Sequence, residues 1–227
     1  MRVVNLLDRG LTAYQDADIR QRSIHAGVAD GTEPDTFLVF ESNATYTAGR
    51  HTRPGDITDP DLPIVDTDRA GSITWHGPGQ LIVYPIVKLT EPVDLHAYIR
   101  AVEGSVLDTL RDHCGLDVVR IDGRAGVWLR NTDRKISAIG LKISRAATLH
   151  GISLNVNTDF TSAFSGIVPC GINDAGVTSL AQEGISITLD ELVEPLTAAL
   201  RHRLAPLLAR GAGADTSTEK LTASSIR

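Results

Sequence analysis

The fold class of this chain is decided by residues 127–156, VWLRNTDRKISAIGLKISRAATLHGISLNV. Three segments in this stretch, 127–129, 136–143 and 149–156, have the apolar or alternating pattern that is typical of β-strands. A polar turn at 131–134 joins the first two segments as a hairpin, and no helical segment separates the second from the third. Strands that are not regularly separated by helices favour an α+β protein, so we predict a mixed β-sheet with flanking helices.

Helices are predicted on both sides of this stretch. Asp94 can cap a helix whose apolar residues recur at three- to four-residue spacing until Gly115. Thr188 and Glu191 form a capping box at the start of a helix that extends to about residue 209. Three further elements are predicted: a helix over 11–30 that ends at Gly31, a strand over 36–40, and a strand over 80–88 in which Pro85 indicates an edge or a bulge.

The length of 227 residues fits one domain or at most two. Hydrophobic residues make up 42% and charged residues 22% of the chain, which is an ordinary balance for a protein with a sizeable core. We predict a single domain over residues 1–210. It is followed by a tail over 211–227, rich in Gly, Ala, Ser and Thr, that we expect to be disordered.

Composition and charge exclude several classes of protein. The net charge of −6 and the aromatic content of 4% argue against a nucleic-acid partner, which needs a basic surface and stacking side chains. The longest apolar run, 81–87, is far shorter than the roughly 20 residues that a membrane span needs. Two cysteines provide no disulfide framework, and the N-terminal apolar stretch is too short for a signal peptide. We therefore expect a cytoplasmic protein with reduced thiols and no membrane contact.

Residues 69–80, RAGSITWHGPGQ, form the first candidate site. Three glycines and one proline in this stretch constrain the backbone and allow a ligand to approach it closely. Arg69 adds a fixed cation, and His76 adds a titratable group. The alternative is a structured turn in which the histidine is hydrogen-bonded and meets no ligand.

Two further stretches contain a candidate nucleophile and a candidate proton carrier. Cys170 lies between Pro169 and Gly171, in a turn rather than in a periodic segment where inert cysteines are usually buried. Lys135 opens an apolar strand segment, where a desolvated lysine becomes a usable proton carrier. The alternative is a lysine that only extends its ammonium to water. Cys114 lies at a helix end and is interpreted as structural.

Motifs of other enzyme classes are absent from the sequence. There is no Cys-x-x-Cys or His-Glu-x-x-His, and the seven histidines are scattered, so no metal site is predicted. No Gly-x-Gly-x-x-Gly or Walker-type loop predicts a nucleotide cofactor, and no Gly-x-Ser-x-Gly predicts a serine nucleophile. Cys170 is therefore the best candidate nucleophile, and no cofactor is expected.

Five motifs lie in one order between about residue 41 and residue 180. They are YTAGR at 46–50, the stretch at 69–80, KISAIG at 135–140, HGISLNV at 150–156 and PCG at 169–171. In residues, order and spacing they resemble the octanoyltransferases of lipoate biosynthesis, the lipoyl(octanoyl) transferase family. Two departures are visible: Ala70 stands where this family usually has a glycine, and Ser42 stands where it usually has a histidine.

This resemblance implies a fold, a reaction and a set of site residues. The fold would be the α/β fold shared by lipoate–protein ligases and the catalytic domain of biotin–protein ligases. The enzyme would transfer octanoyl from octanoyl-acyl carrier protein to a specific lysine of lipoyl domains, in the E2 subunits of 2-oxoacid dehydrogenases or in the glycine cleavage H protein. Cys170 would be the acyl-thioester nucleophile and Lys135 its proton partner. The implied substrate-binding residues are Arg69, Ala70, Gly71, Ser72, Ile73, Thr74, Trp75, His76, Ala138, Ile139, Gly140, Gly151, Ile152 and Ser153.

Three other activities remain compatible with the residues. An ATP-dependent lipoate or biotin ligase of the same fold would not need Cys170, a silent acyl-binding module would show no turnover, and a thioesterase would release the acyl group to water. Thioester exchange followed by aminolysis needs no ATP, which agrees with the missing phosphate-binding loop.

Residues 120–145 carry seven Lys or Arg against two Asp, so we also expect this segment to attract an acidic carrier protein.

Overall fold

Eleven strands and three α-helices lie within the residues that the computed structural model describes, which are 1–58, 62–160, 163–164, 166–167 and 176–209. The strands are β1 (Arg2–Asn5), β2 (Thr36–Phe40), β3 (Thr45–Ala48), β4 (Ile64–Asp66), β5 (Thr74–His76), β6 (Gln80–Ile86), β7 (Val118–Ile121), β8 (Arg124–Leu129), β9 (Arg134–Ser144), β10 (Ala147–Asn155) and β11 (Gly176–Val177). The helices are α1 (Tyr14–Asp30), α2 (Leu95–Cys114) and α3 (Leu189–Leu204).

Eight of these described strands form one mixed sheet, in the order β1-β2-β6-β10-β9-β8-β7, with β11 added alongside β9. β1 runs parallel to β2 and β11 runs parallel to β9, whereas the other neighbours in this order are antiparallel. The predicted hairpin is confirmed as β8 and β9, and Asn131 in its turn adopts the left-handed conformation with φ of 59°. The predicted mixed sheet with flanking helices is therefore confirmed.

Capping residues set the ends of α2 and α3. The Asp94 carboxylate accepts a hydrogen bond from the backbone N–H three residues later at 2.9 Å, and Gly115 ends α2 with φ of 63°. The capping box of Thr188 and Glu191 is present, but α3 ends at Leu204 and a 3₁₀ turn follows it. No helix within the described ranges is long and apolar enough to cross a membrane. The predicted tail over 211–227 lies outside the described residues.

Helix α1 begins at Tyr14 rather than at the predicted residue 11. Thr12 is extended, since its N–H donates to the carbonyl of Glu41 at 2.8 Å and its carbonyl accepts from the N–H of Asn43 at 3.0 Å. These bonds hold the chain in an extended conformation beside the end of β2, so the helix begins later in the sequence. The predicted end is confirmed, because Gly31 terminates α1 in the left-handed conformation.

Two apolar cores lie on opposite faces of the central sheet. On β2, Phe37 and Val39 belong to the core beneath α2 and α3, whereas Leu38 and Phe40 belong to the core beneath α1. A strand that is buried on both faces is apolar along its whole length. This explains why β2 and β6 have continuous apolar sequences instead of an alternation with polar residues.

Pro85 lies in a central strand, between β2 and β10, so the edge, which was one of the two predicted alternatives, is wrong. The pairing of β6 with β10 stops at Val83 and Ile152, before the ring that lacks an N–H is reached. The Thr148 hydroxyl continues the contact in its place, donating to the carbonyl of Pro85 at 2.6 Å and accepting from the N–H of Val87 at 2.9 Å. A side chain from β10 thus replaces the backbone pairing that is interrupted beside Pro85.

A second, three-stranded sheet in the order β4-β3-β5 was not predicted. Its strands are only three or four residues long, which is too short for an alternating pattern to be recognised. Tyr46, Ile73 and Trp75 form the centre of its apolar core. The loop before β5 reaches the central sheet, where the N–H of Ala70 donates to the carbonyl of Leu141 at 2.9 Å. Residues 69–76 therefore run between the two sheets.

Candidate active site

Small residues on neighbouring strands leave a cavity beside the central sheet. In the register of β9 and β10, Gly140 lies opposite Gly151 and Ala138 lies opposite Ser153. Residues that are directly opposite in an antiparallel pair turn their side chains to the same face. This part of the face therefore presents only hydrogen, methyl and hydroxymethyl groups, and all four residues line a cavity of about 260 Å³.

Arg69 braces the loop that forms one wall of this cavity. Its side chain is buried, and its guanidinium donates to the carbonyl oxygens of Ala70 at 3.1 Å, Ser72 at 2.8 Å and Thr47 at 2.6 Å. The planar fork of an arginine matches several acceptors at once, which a lysine cannot do from one nitrogen. The fixed cation expected from the sequence is present, and it connects the loop to β3.

A buried chain of hydrogen bonds orients His76. Asn155 donates through Nδ2 to the carbonyl of Thr178 at 3.0 Å, so its Oδ1 is turned to accept from Nε2 of Gln80 at 2.9 Å. The Oε1 of Gln80 then lies 2.6 Å from Nδ1 of His76 and accepts its proton. This pattern assigns the proton to Nδ1 and leaves Nε2 as an acceptor.

Burial keeps the His76 ring neutral. It lowers the pKa of His76 from 6.5 to about 4, against the opposing effect of the hydrogen bond to Gln80 and with a smaller contribution from the charge of Arg69. Tyr14 of α1 stacks on the ring, with centroids 5.6 Å apart and planes 9° from parallel. Since the ring lines the cavity, it offers a neutral imidazole there at neutral pH.

A second polar cluster centres on Asp68 and connects α1 with β9 and β10. The carboxylate accepts hydrogen bonds from Arg22 at 3.0 and 3.1 Å, from Lys142 at 2.8 Å and from Nε2 of His150 at 2.8 Å. Burial raises the pKa of Asp68, but these donors outweigh burial and hold it far below its usual range. Oε1 of Gln21 accepts a hydrogen bond from the backbone N–H of His150, and Nε2 of Gln21 lies 3.2 Å from Nδ1 of the His150 ring. Burial lowers the pKa of His150, although Asp68 opposes this.

Lys135 lines the same cavity and is only 7% exposed. Its Nζ lies 4.6 Å from the centroid of the Trp128 ring, which is a cation–π distance. Strand β11 places Val177 alongside Lys135, and the N–H of Thr178 donates to the Lys135 carbonyl at 2.9 Å. The lysine is therefore held against an aromatic ring instead of extending into water.

Cys170 lies outside the described residues, which end at Ile167 before it and resume at Gly176 after it. Gly176 pairs with Arg134, the residue that precedes Lys135. The chain that follows Cys170 thus returns to the sheet beside the cavity lysine. On the other side, Ile167 forms a bridge with Ile57 and packs in the core of the smaller sheet.

The structure brings together most of the residues that the family resemblance implies. Lys135 and twelve of the fourteen implied substrate-binding residues line the one cavity. The other two, Ile73 and Trp75, are buried in the core of the smaller sheet. The reason is alternation, because Thr74 and His76 turn to the opposite side of this segment. The polar–apolar alternation of residues 72–76 already contains that signal.

Five lining residues were missed from the sequence. They are Tyr84, Gly123, Arg124, Ala125 and His150. His150 directly precedes Gly151 in the HGISLNV motif, so the motif itself contained the signal. The other four lie on β6 or around the start of β8, where no local pattern distinguishes a cavity residue from its neighbours.

The basic segment 120–145 does not retain its surplus of positive charge in the fold. Within the described residues, five of its seven cations form ion pairs, and four of their carboxylate partners lie outside the segment. Arg130 pairs with Asp117 at 2.7 Å, and Arg134 pairs with Glu183 at 2.6 Å. Exposed pairs of this kind contribute little stability, but they weaken the attraction that the segment offers to an acidic partner.

Comparison with known proteins places the chain in a family. The model of the lipoyl protein ligase A/B catalytic domain matches residues 14–201. An octanoyltransferase of Rhodococcus opacus is 47% identical over 200 residues, which cover 84% of this chain and 77% of that protein. An octanoyltransferase of Mycobacterium tuberculosis is 48% identical over 204 residues, with 87% and 85% covered. One from Clavibacter michiganensis is 42% identical, with 97% of each chain covered.

Solved structures show the same fold at low sequence identity. A lipoate-protein ligase A bound with ATP superposes with a TM-score of 0.70 at 15% identity, over 90% of this chain and 85% of that one. A bi-partite lipoate protein ligase from Thermoplasma acidophilum gives 0.65 at 15% identity, over 82% and 79%. The expected fold is thereby confirmed. The chain belongs to the lipoyl protein ligase A/B catalytic-domain family, and within it to the octanoyltransferases, which are acyltransferases.

Proposed function

We propose that this protein transfers octanoyl groups in protein lipoylation, with Cys170 holding the group as a thioester between two partner proteins. The observation that carries the proposal is the cavity whose floor consists of small residues and whose buried lysine adjoins the strand that follows Cys170. Such a floor suits an unbranched acyl chain, because its small side chains leave the space beside the sheet open. The relatives named octanoyltransferase support the transfer of an octanoyl group.

The reaction consists of two displacements at one carbonyl carbon. In the first, the Cys170 thiolate attacks the octanoyl thioester of the donor, and the donor sulfur leaves as a thiolate that takes a proton from the Lys135 ammonium. In the second, the amine of the acceptor lysine attacks the Cys170 thioester and expels the thiolate. Lys135, now neutral, takes the proton that the new amide nitrogen loses. The thiolate and ammonium are thereby restored, and neither step consumes ATP.

The position of Lys135 supports its part in both steps. An ammonium close to a cysteine favours the thiolate, which is the nucleophilic form. Its contact with the Trp128 ring leaves the nitrogen without a carboxylate partner among the described residues. With no carboxylate bound to it, this nitrogen is available to give a proton to a leaving thiolate and to take one from the attacking amine.

The proposed donor is octanoyl-acyl carrier protein. The proposed acceptors are lipoyl domains in the E2 subunits of 2-oxoacid dehydrogenases and in the glycine cleavage H protein. An ATP-dependent ligase is the main alternative, because the structures that superpose on this chain are lipoate ligases. Their identity of 15% reflects the fold alone, whereas the relatives at 42–48% identity are octanoyltransferases.

The test is transfer without ATP, measured by intact mass. Octanoyl-carrier and an apo lipoyl domain are mixed with the protein, and one octanoyl addition to the lipoyl domain is expected. With the acceptor omitted, the adduct should remain on the protein. Cys170→Ser should lose both products, because a serine hydroxyl is hardly ionised near neutral pH, whereas the matched variant Cys114→Ser should keep both. Octanoylation that requires ATP and free octanoate, and that survives Cys170→Ala, would instead identify a ligase.

Two further variants test the lysine. Lys135→Arg keeps the positive charge but does not release or take up a proton. We expect Cys170 still to be acylated, because the donor thiolate can leave as an anion and take its proton from water, whereas transfer to the lipoyl domain is lost because the amine proton has no base to accept it. Lys135→Ala should slow both steps. The pH dependence of Cys170 alkylation by iodoacetamide, followed by mass spectrometry, reports the thiolate in each protein. An alkylation profile and a transfer rate that are unchanged in Lys135→Ala would leave this lysine without a role.

A further inference from the structure

One edge of β9 is open along its second half. Strand β8 pairs with β9 only at Lys135 and Ser137, so it does not cover residues 138–144. The carbonyl of Leu141 points to this open side, because it accepts the N–H of Ala70 there. Alternate residues of a strand turn their backbone groups to the same side, so Ile139 and Ile143 turn theirs to the same edge. In the described part of the chain no other segment hydrogen-bonds to these two residues there.

A groove of about 590 Å³ follows this edge. Its apolar wall includes Ile139 and Ile143 of β9, together with Leu95 and Ile99 from the first turns of α2. Leu95 is 43% exposed although it is a large apolar residue. The groove shares Ala70, Gly71, Ala125, Ile139 and Gly140 with the cavity, so the two spaces adjoin along the same loop and strand.

Three basic residues line the groove but not the cavity, and one of them, Lys142, is paired with Asp68. Arg50 and His51 are exposed, and their backbone N–H groups bond to the carbonyls of Arg69 and Gly71 at 3.0 Å. This pairing places them beyond the loop, on the side away from the cavity. Neither side chain has an ion pair or a hydrogen bond with a described residue. Asp68 is the carboxylate of the groove, and three donors already neutralise it.

We propose that this groove binds the phosphopantetheine arm of the carrier-bound donor, with Arg50 as the main contact of its phosphate. The inference rests on the proposed function and assigns to the donor a site separate from the acyl cavity. The two amides of the arm match the row of backbone donors and acceptors at the open edge of β9, as an added strand would. Its methylene and dimethyl groups match the apolar wall. An arginine is well suited to a phosphate, because its fork donates two parallel hydrogen bonds.

The length of the arm agrees with this placement. Between its sulfur and its phosphorus it has about as many bonds as a peptide of four to five residues, so it extends roughly 15 Å. From Lys135 to Gly140, β9 rises roughly 17 Å at about 3.3 Å per residue. A thioester sulfur near the cavity lysine would therefore leave the phosphate at the far part of the groove, where Arg50 lies. The acceptor lysine has only a four-carbon side chain, so the acceptor has to approach the cavity mouth directly.

The experiment compares octanoyl-pantetheine with octanoyl-phosphopantetheine as donors, with an apo lipoyl domain as acceptor. The readout is the phosphate preference, which is the ratio of the two values of kcat/KM. The native protein should prefer the phosphorylated donor, and Arg50→Gln should lower that preference about tenfold, the effect of one charge-assisted hydrogen bond. Arg53→Gln is the matched control, since Arg53 is exposed nearby but does not line the groove. It should keep the native preference.

A second variant tests the apolar wall. Leu95→Asp should lower kcat/KM about fivefold for both pantetheine donors, relative to the short donor octanoyl-N-acetylcysteamine, because the short donor does not reach the groove. A native protein without any phosphate preference, or an equal preference in Arg50→Gln and Arg53→Gln, would overturn the proposal while octanoyl transfer itself persists. Failure of the native protein to transfer octanoyl from the intact carrier would instead refute the proposed function.

Discussion

Exchange of His76 for glutamine should change how the stability of the fold depends on pH. The imidazole has a pKa of about 4 in the folded protein, chiefly because of burial, and about 6.5 in the unfolded chain. Between these two values the unfolded chain binds a proton that the folded protein does not bind. Stability that depends on the neutral ring is therefore fully present above pH 6.5 and is lost as the pH falls towards 4.

The size of the effect follows from the difference in pKa. One pKa unit corresponds to about 1.4 kcal/mol, so the native protein should lose about 2 kcal/mol of unfolding free energy between pH 7 and pH 5 through this ring alone. His76→Gln lacks the titrating group but keeps a hydrogen-bond donor for Gln80. We expect the variant to be less stable than the native protein at pH 7 and to lose about 2 kcal/mol less on acidification to pH 5.

Urea unfolding at pH 7, 6 and 5 measures this difference. Trp75 and Trp128 are both buried, so their fluorescence should report the transition. His96→Gln, on the exposed side of α2, is the matched control and should retain the native dependence on pH. His150 is also buried, but it is present in all three proteins and cancels from the comparison. A His76→Gln variant with the native pH dependence would refute the buried neutral imidazole.

Two further exchanges test the cavity walls. Gly151→Ala would place a methyl carbon 2.7 Å from the Val83 carbonyl oxygen and 2.6 Å from Cδ of Pro85, so the unfolding free energy should fall by about 1–3 kcal/mol in urea titrations. Native stability in this variant would show that β6 and β10 can move apart to admit the methyl group without a cost in free energy. Arg69→Lys should lower the unfolding free energy by about 2 kcal/mol and raise the KM of the octanoyl donor, since one ammonium cannot reach three separated carbonyl groups. A native KM would show that the hydrogen bonds from Arg69 to this loop do not shape the donor-binding cavity.

Local sequence patterns predicted the elements whose causes are local. The ends of α2 follow from Asp94 and Gly115, because a cap depends on backbone groups within one helical turn. The hairpin of β8 and β9 follows from a polar turn between two apolar segments. Predictions failed where a distant segment intervened. The start of α1 is shifted by bonds from Thr12 to the end of β2, and Pro85 is accommodated in a central strand by a threonine from β10.

The candidate site divides in the same way. The motifs located residues 69–76 and 138–140, and the structure places most of them around one cavity, but Ile73 and Trp75 lie in another core. Neither the smaller sheet nor the open edge of β9 was visible in the sequence, because short strands and unpaired edges leave no periodic signal. Cys170, the proposed nucleophile, remains a prediction from its motif, since it lies outside the described residues.

By itself the sequence determined the three helices, most of their caps, the hairpin of β8 and β9, the mixed character of the sheet and the family. Each of these depends on neighbouring residues or on motifs that are contiguous in the chain. Only the tertiary structure decided the proton position on His76, the ion pairs that offset most of the positive charge of segment 120–145, and the position of the groove next to the cavity along β9. The physical reason is that these properties depend on contacts between distant residues, such as the hydrogen bond between Gln80 and Asn155, which lie 75 positions apart in the chain.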